Sequence, residues 1–376
     1  MAGRVTVEPV TGPADTEAFI RFPFALYRGY PHWVPPLLTE RRDFLNARKN
    51  PVFEYAAVQP FLARREGRVV GTIAAIRNDR FREFHPDEKD VGFFGLYESE
   101  NDPDTSRALL SAAAEWLSRE GLRTMRGPAN LTTNDVLGLL VEGFDEDPAL
   151  LMPYNPPYYA AQFESFGLAK VKDLYAFDVA SGAYREQLDR TVGEILKRGH
   201  VKLRPVNLKR WTEEIAFVRR CYNEAWAKNW GFVPWTDREM ETIARELKPL
   251  VDPRLAFVGE VNGEPAGIVI AVPDANEALK LAKGKLFPFG LLKLLWKVKV
   301  SRCSRLRVMA LGILPKYRRL GIHAVFIHRI IEDGIRIGYP HAEVGWILED
   351  NEAMLRPLRH VDARRTKVYR VYDRRL

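Results

Sequence analysis

The sequence predicts an α/β fold with mixed sheets, laid out twice along one chain. Two observations carry that prediction. Short apolar strand runs alternate with helical segments throughout, and the order hairpin, strand, helix, strand that starts at Phe61 returns from Leu255 onward. In each half the hairpin turns on a residue pair, Glu66-Gly67 and then Asn262-Gly263, and such pairs tolerate the positive φ of a tight turn. A length of 376 residues exceeds one ordinary domain and suits two. The boundary is expected near Ser181-Gly182, giving domains 1–180 and 181–376.

The first half opens with a strand at Val5–Val10. The stretch LYRGYPHWVPPLL follows, and Pro31, Pro35 and Pro36 preclude a long helix there. Phe61–Arg65 and Val69–Ile76 form the hairpin, and Val91–Glu98 supplies another strand. Asp104 or Thr105 is placed to cap a helix whose apolar face is Leu109, Leu110, Ala113, Trp116 and Leu117 and which stops at Gly121. A strand near Thr124–Gly127, an Asn-rich loop, a Tyr/Pro-rich segment and a strand at Leu174–Val179 complete this half.

In the second half Val201–Val206 is the opening strand and Glu213–Trp226 an amphipathic helix. Thr236 and Glu239 have capping-box spacing for the next helix. The hairpin Leu255–Val261/Ala266–Val272 follows, and Thr366–Tyr372 closes the domain. The most informative stretch is Leu306–Asn351: a strand at Val308–Leu314, the basic turn KYRRLG, and a helix with Ile322, Phe326 and Ile330 on one line. That helix stops at Gly338 before Pro340, and a strand follows at Ala342–Leu348. Free N–H groups at a helix start, the dipole and two arginines together suit a phosphate. The counterpart in the first half, ESENDPD, is acidic and lacks glycine, so it would repel one.

Composition narrows the partners. A content of 46% hydrophobic and 28% charged residues fits a globular protein. Two cysteines, Cys221 and Cys303, make no disulfide framework, which suits a reducing cytoplasm. The N-terminus lacks the apolar core of a signal peptide, and no uncharged run reaches membrane-spanning length. A net charge of +8 favours anionic partners. Lys283–Arg307 sets Leu286, Phe287, Phe289, Leu291, Leu292, Leu294, Leu295 and Trp296 among basic residues. It suits either a helix packed on the second domain or a basic-apolar patch that lies on an anionic membrane, peripheral on the inner membrane, or covers an acyl chain. The aromatics lie mostly in apolar runs, so no nucleic acid is expected, and the histidines show no metal-ligand spacing.

Arg318-Arg319-Leu320-Gly321-Ile322, following a strand and opening a helix, resembles the acyl-CoA-binding turn of the GNAT superfamily of N-acyltransferases, whose pattern is R/Q-x-x-G-x-G/A. This chain departs from it at His323. The resemblance implies two tandem GNAT-like folds, with acyl-CoA as co-substrate and an amine as acceptor, and no metal. It implies cofactor contacts from Arg318, Arg319, Gly321, Ile322 and His323, and from backbone groups of Leu311, Gly312 and Ile313. Asn351 matches the position that contacts CoA or orients the leaving thiol. By strand periodicity Glu343 and Glu349 share a face and are base candidates, or else surface carboxylates paired with arginine. The dipole at the helix start is expected to lower the His323 pKa. In the first half Asn130, Asn134, Asn155, Tyr158 and Tyr159 are candidates for an acceptor wall. WVPPL, GFFGLYES, RGPAN and YNPPYY further resemble a branch of tandem GNAT-like bacterial proteins that includes ceramide synthases, which implies a long-chain acyl donor and a lipid amine. A short-chain acetyltransferase and a non-catalytic CoA- or nucleic-acid-binding protein remain the alternatives.

Overall fold

The computed structural model describes residues 3–180, 186–286, 288–361 and 363–376, and for Gln187, Lys299 and His360 the backbone alone. The expected boundary at Ser181-Gly182 and the side chain of Phe287 lie outside the described residues. In chain order the first half comprises β1 (Val5–Pro9), α1 (Pro13–Leu26), α2 (Leu38–Phe44), β2 (Ala56–Arg65), β3 (Arg68–Asn78), α3 (Asp79–Phe84), β4 (Val91–Ser99), α4 (Pro103–Arg119), β5 (Thr124–Gly127), β6 (Leu139–Glu142), α5 (Tyr159–Ser165) and β7 (Ala169–Ala180). The second comprises α6 (Glu186–Lys197), β8 (Val201–Pro205), α7 (Trp211–Ala225), α8 (Asp237–Leu247), β9 (Ala256–Val261), β10 (Glu264–Pro273), α9 (Asn276–Ala282), α10 (Gly290–Trp296), β11 (Arg305–Ile313), α11 (Ile322–Arg336), β12 (His341–Leu348), α12 (Glu352–His360) and β13 (Arg364–Arg375).

Two compact units result. Unit 1 is Met1–Leu174, Leu279–Leu291 and Lys367–Leu376, and unit 2 is Tyr175–Ala278 and Leu292–Thr366. The division therefore departs from a cut at residue 180. The strand expected at Thr366–Tyr372 to close the second half runs on to Arg375, and its end, Tyr372–Arg375, belongs to unit 1 and pairs antiparallel with β5 opposite Gly127–Thr124. Buried Arg126 fixes that pairing, holding Asp373 at 2.8 Å and Glu88 at 2.7 Å.

Within unit 1 the strand order is β1-β2-β3-β4-β5-β13, with β6 on β13; within unit 2 it is β7-β12-β11-β10-β9-β8. The hairpins form where turn chemistry places them, with Glu66 and Asn262 at positive φ beside Gly67 and Gly263. Helix α4 packs Leu109, Leu110, Ala113 and Leu117 into the unit 1 core, all fully buried. Its cap is Asp102, whose carboxylate accepts from Thr105 N–H with Pro103 at the first helical position, rather than Asp104 or Thr105. The Thr236/Glu239 capping box is present in full. In unit 2, Ile322, Phe326 and Ile330 are buried as the periodicity requires. Ile322 and Phe326 lie over Gly259, where any side chain would meet them.

Candidate active site

Strands β11 and β12 run parallel but stay paired only over Arg305–Val308 with His341–Val344. Beyond that point β12 lies beside β7, and Gly345 packs on Ala176. On its other edge β11 continues along β10, with a bulge between Ala310 and Val308 where one residue of β11 is extra. Leu314 N–H donates to Ala266 C=O at 2.9 Å, directly opposite in the ladder. Hydrogen-bonding direction alternates along an antiparallel strand, so Gly312 also faces β10 while Leu311 and Ile313 face away. The Leu311 amide and carbonyl and the Ile313 amide therefore line the wedge opened by the parting of β11 and β12. Gly312 lets the wall close: a Cβ there would run into the Trp226 indole, which stacks on Tyr222 at 4.6 Å.

The basic turn lies at the C-terminal end of β11. Gly321 adopts φ +76°, a left-handed value that favours glycine, and α11 starts at the next residue. Arg318 does not project freely. Its guanidinium donates to Ala225 C=O at 2.6 Å and to Ile313 C=O at 3.4 Å, tying the end of α7 to β11. Arg319 is exposed and makes no ion pair among the described residues. His323 is half-buried, and burial lowers its pKa, so the ring is neutral near pH 7. Ile195 of α6 reaches over Gly321. Helix α6 is tied to α11 by His328 and Asp189 at 2.7 Å.

The parallel arrangement puts the end of β12 at the same end of the sheet as this turn. Asn351 starts α12 there; its backbone carbonyl accepts from Met354 and Leu355 N–H, but its side chain makes no capping bond. Its carboxamide is thus uncommitted among the described residues. Glu349 lies beyond the last strand residue, Leu348, in the turn before Asn351, so it does not share the Glu343 face by strand periodicity. Glu343 sits at the other, paired end of β12, opposite Arg307. It is 2% exposed and faces Arg305 at 3.6 Å and Arg307 at 3.9 Å, while Arg305 also holds Asp274 at 2.7 Å. A carboxylate buried between two guanidiniums braces the strands and is out of reach of a substrate amine.

Unit 1 repeats the parting of strands but fills the gap with its own chain. Strands β4 and β5 pair only over Val91–Phe93 with Thr124–Arg126. Ala129 N–H then donates to Phe94 C=O at 2.8 Å, and the Asn130 side-chain carbonyl accepts from Leu96 N–H at 2.8 Å. Gly95 is required there, since a Cβ would strike the Ala129 carbonyl. Asn130 is thus a plug. Asn155 is buried, accepting from Leu140 N–H at 2.7 Å and donating to Leu140 and Pro156 carbonyls. Asn134 is half-buried in a turn, its amide on Thr132 Oγ1. Tyr158 donates to Ser99 C=O at 2.8 Å and Tyr159 to Glu98 at 2.7 Å. Glu98 was hidden in the sequence as the first residue of an acidic turn; the signal was a carboxylate ending the apolar run GFFGLY.

Among the described residues no group of three or more His, Cys, Asp or Glu side chains is placed to hold a metal. No protein-family model matches the chain. Two curated proteins do. The Caulobacter vibrioides protein named bacterial ceramide synthase is 37% identical over 377 residues, covering 99% of this chain and 98% of that one. Escherichia coli YghO is 36% identical over 372 residues, covering 96% and 93%. Among solved structures, a tandem GNAT protein from the clavulanic acid biosynthesis pathway superposes with a TM-score of 0.56 at 13% identity, covering 99% of this chain and 98% of that one. A GCN5-related N-acetyltransferase from Sphaerobacter thermophilus gives 0.54 at 12%, covering 99% and 96%. The solved structures share the fold, that of tandem GNAT proteins, and the full-length relatives carry the kinship: the chain belongs to the family of the C. vibrioides bacterial ceramide synthase and YghO.

Proposed function

We propose that unit 2 binds acyl-CoA in the β11/β12 wedge and that the enzyme transfers a long-chain acyl group to the primary amine of a lipid. The wedge carries this reading. Its Leu311 amide and carbonyl and its Ile313 amide match the strand-like bonding of a pantetheine arm, and the turn that follows presents Arg319 and the first amides of α11 to a pyrophosphate. In acyl transfer the neutral amine attacks the thioester carbonyl, the oxyanion collapses, and the thiolate leaves. Fixed N–H donors facing that carbonyl oxygen stabilise the developing charge. Asn351, with a free carboxamide at the same sheet end, is suited to hydrogen-bond the departing sulfur. Neutral His323, in the first turn of α11, can accept or donate one hydrogen bond without adding charge.

The lipid part of the proposal is supported by the name of the C. vibrioides relative and by the surface of α10 and its continuation. Phe289, Leu292, Leu295, Trp296 and Val300 are 65, 63, 44, 56 and 69% exposed, and Lys283, Lys285 and Lys293 of the same stretch of sequence are exposed too. Exposed apolar side chains interleaved with lysine suit shallow attachment to an anionic bilayer, with the enzyme peripheral on the membrane. No helix among the described residues is long and apolar enough to cross one.

The test is thermal denaturation with CoA, acetyl-CoA and palmitoyl-CoA, on the wild type and on Arg319→Glu with Gly321→Glu. Ligand at a hundredfold excess over Kd adds about 2.7 kcal/mol to stability. A shift with palmitoyl-CoA that the variant loses supports the proposal. A shift with acetyl-CoA alone would transfer it to short-chain acetylation, and no shift with any donor would end the acyl-CoA reading. Vesicle co-sedimentation checks the surface: Leu292→Ser with Trp296→Ser should abolish binding to anionic vesicles.

A further inference from the structure

The carboxylate of Glu98, at the end of β4 in unit 1, has no Lys or Arg partner among the described residues. Its hydrogen bonds come from two tyrosines, Tyr27 Oη at 2.8 Å and Tyr159 Oη at 2.7 Å. Both are almost wholly buried, at 3% and 1% exposure. Around them Tyr27 stacks on Trp33 at 4.7 Å and meets Tyr30 at 5.6 Å and Tyr154 at 6.4 Å, while Tyr158 meets Tyr159 at 5.2 Å. Glu98 is enclosed deeply by protein, yet it and the rims at Tyr30, Tyr154 and Tyr158 keep accessible surface. A small polar group can reach it.

We infer that this tyrosine-walled carboxylate is a binding site for a primary ammonium, the head of the acceptor amine; the inference rests on the N-acyltransferase reading above. A buried carboxylate held only by neutral donors lacks a counter-charge. An ammonium supplies that charge and three N–H donors, and the aromatic walls favour a cation over a neutral head. The tyrosine network also tolerates both protonation states. Tyr27 Oη donates to Glu98 when that is ionised; when it is protonated, Glu98 can donate to Tyr27, which then donates to Tyr154 C=O at 3.2 Å. Tyr159 Oη accepts from Ser99 N–H at 2.8 Å throughout. Burial pushes the Glu98 pKa up to about 7, with the two tyrosine hydrogen bonds opposing it. Of the other tyrosines around it, Tyr97, Tyr154 and Tyr158 have raised pKa values and stay neutral at that pH. The site therefore gains its charge across neutral pH, below the range where an alkylamine, of pKa about 10, loses its own.

The experiment is calorimetric titration of the full-length enzyme with decylamine below its micellar concentration, and with decanol, from pH 5.5 to 9. The wild type is expected to bind the amine at least tenfold more tightly than the alcohol, with affinity rising through neutral pH. Glu98→Gln, isosteric and able to accept the same hydroxyl bonds, should lose that preference. Tyr27→Phe, which removes one donor that stabilises the carboxylate, should move the pH midpoint upward. Amine binding that is equal in wild type and Glu98→Gln, or a midpoint unmoved in both variants, overturns the inference. Palmitoyl-CoA binding, measured on the same samples, should be unchanged in Glu98→Gln. Its absence in the wild type would strike the donor reading and leave the amine result to stand or fall separately.

Discussion

Replacing Asn155 by alanine separates a substrate contact from a structural one. The side chain spans a gap in unit 1, accepting from Leu140 N–H at 2.7 Å and donating to Leu140 C=O at 3.1 Å and Pro156 C=O at 3.0 Å. Leu140 is fully buried and Asn155 is 6% exposed, so water has little access to the groups left behind. Each orphaned buried backbone group costs about 1–3 kcal/mol. With two such groups on Leu140, Asn155→Ala should destabilise unit 1 by roughly 2–6 kcal/mol. For a unit of this size each kcal/mol moves Tm by about 2–4 °C, so a fall of about 4–24 °C is expected. Differential scanning calorimetry reads the fall, and acyl transfer assayed well below the new Tm should keep its KM for the amine. An unchanged Tm with a large rise in that KM would refute the argument and return Asn155 to the acceptor wall.

Gly312→Val should displace the Trp226 ring, costing about 1–3 kcal/mol of overpacking and weakening acyl-CoA binding; if Trp226→Ala added to it fails to restore either property, the close approach is not the reason glycine stands there. Arg126→Met leaves Glu88 and Asp373 facing each other without their cation and loosens β13 from β5, a loss of about 3 kcal/mol by urea denaturation; near-wild-type stability would show that the closing strand is held by its apolar side chains alone. Glu98→Gln should change the pH profile of stability. The folded pKa of Glu98 is raised, so in the wild type stability is full below about pH 4.5 and is lost as pH rises to about 7. The variant lacks that loss and should exceed the wild type above pH 7 by at most about 3 kcal/mol, at 1.36 kcal/mol per unit; a constant offset from pH 4.5 to 8 would show that Glu98 titrates normally.

What the sequence disclosed follows the reach of local physics. The hairpins at Glu66-Gly67 and Asn262-Gly263 need two residues of turn chemistry and nothing distant, and both are present. The α11 face Ile322, Phe326, Ile330 follows from periodicity alone. Helix α1 was hidden because Pro23 lies within it, and packing of Phe19, Ile20 and Phe22 outweighs that residue's poor helical propensity. The pairing of β13 with β5 joins residues 247 positions apart, as Arg126–Asp373 shows, and no local pattern encodes it. Site residues divide the same way. Gly321 was legible from its place between strand and helix. Arg318 was not, because its partner Ala225 is distant in sequence, and neither was Glu98, whose environment is built by Tyr27, just past the end of α1, and Tyr159 of α5.

The two halves show how one architecture supports different tasks. Each parts two parallel strands after three or four paired residues, which exposes backbone groups that some partner must satisfy. In unit 1 that partner is internal: Ala129 and Asn130 take the Phe94 carbonyl and the Leu96 amide. An internal partner is always at hand, so on the proposed function a thioester arm would find those groups already paired, with acidic residues following. In unit 2 Leu311 and the Ile313 amide are left without one in the ladder, and the turn after them carries Gly321 and Arg319. An edge left open at a bulge, next to a helix start, lowers stability unless a ligand repeatedly fills it. The difference between the halves is therefore a difference in where the missing hydrogen bonds come from, and it is the physical basis for proposing one donor site in a chain whose fold is laid down twice.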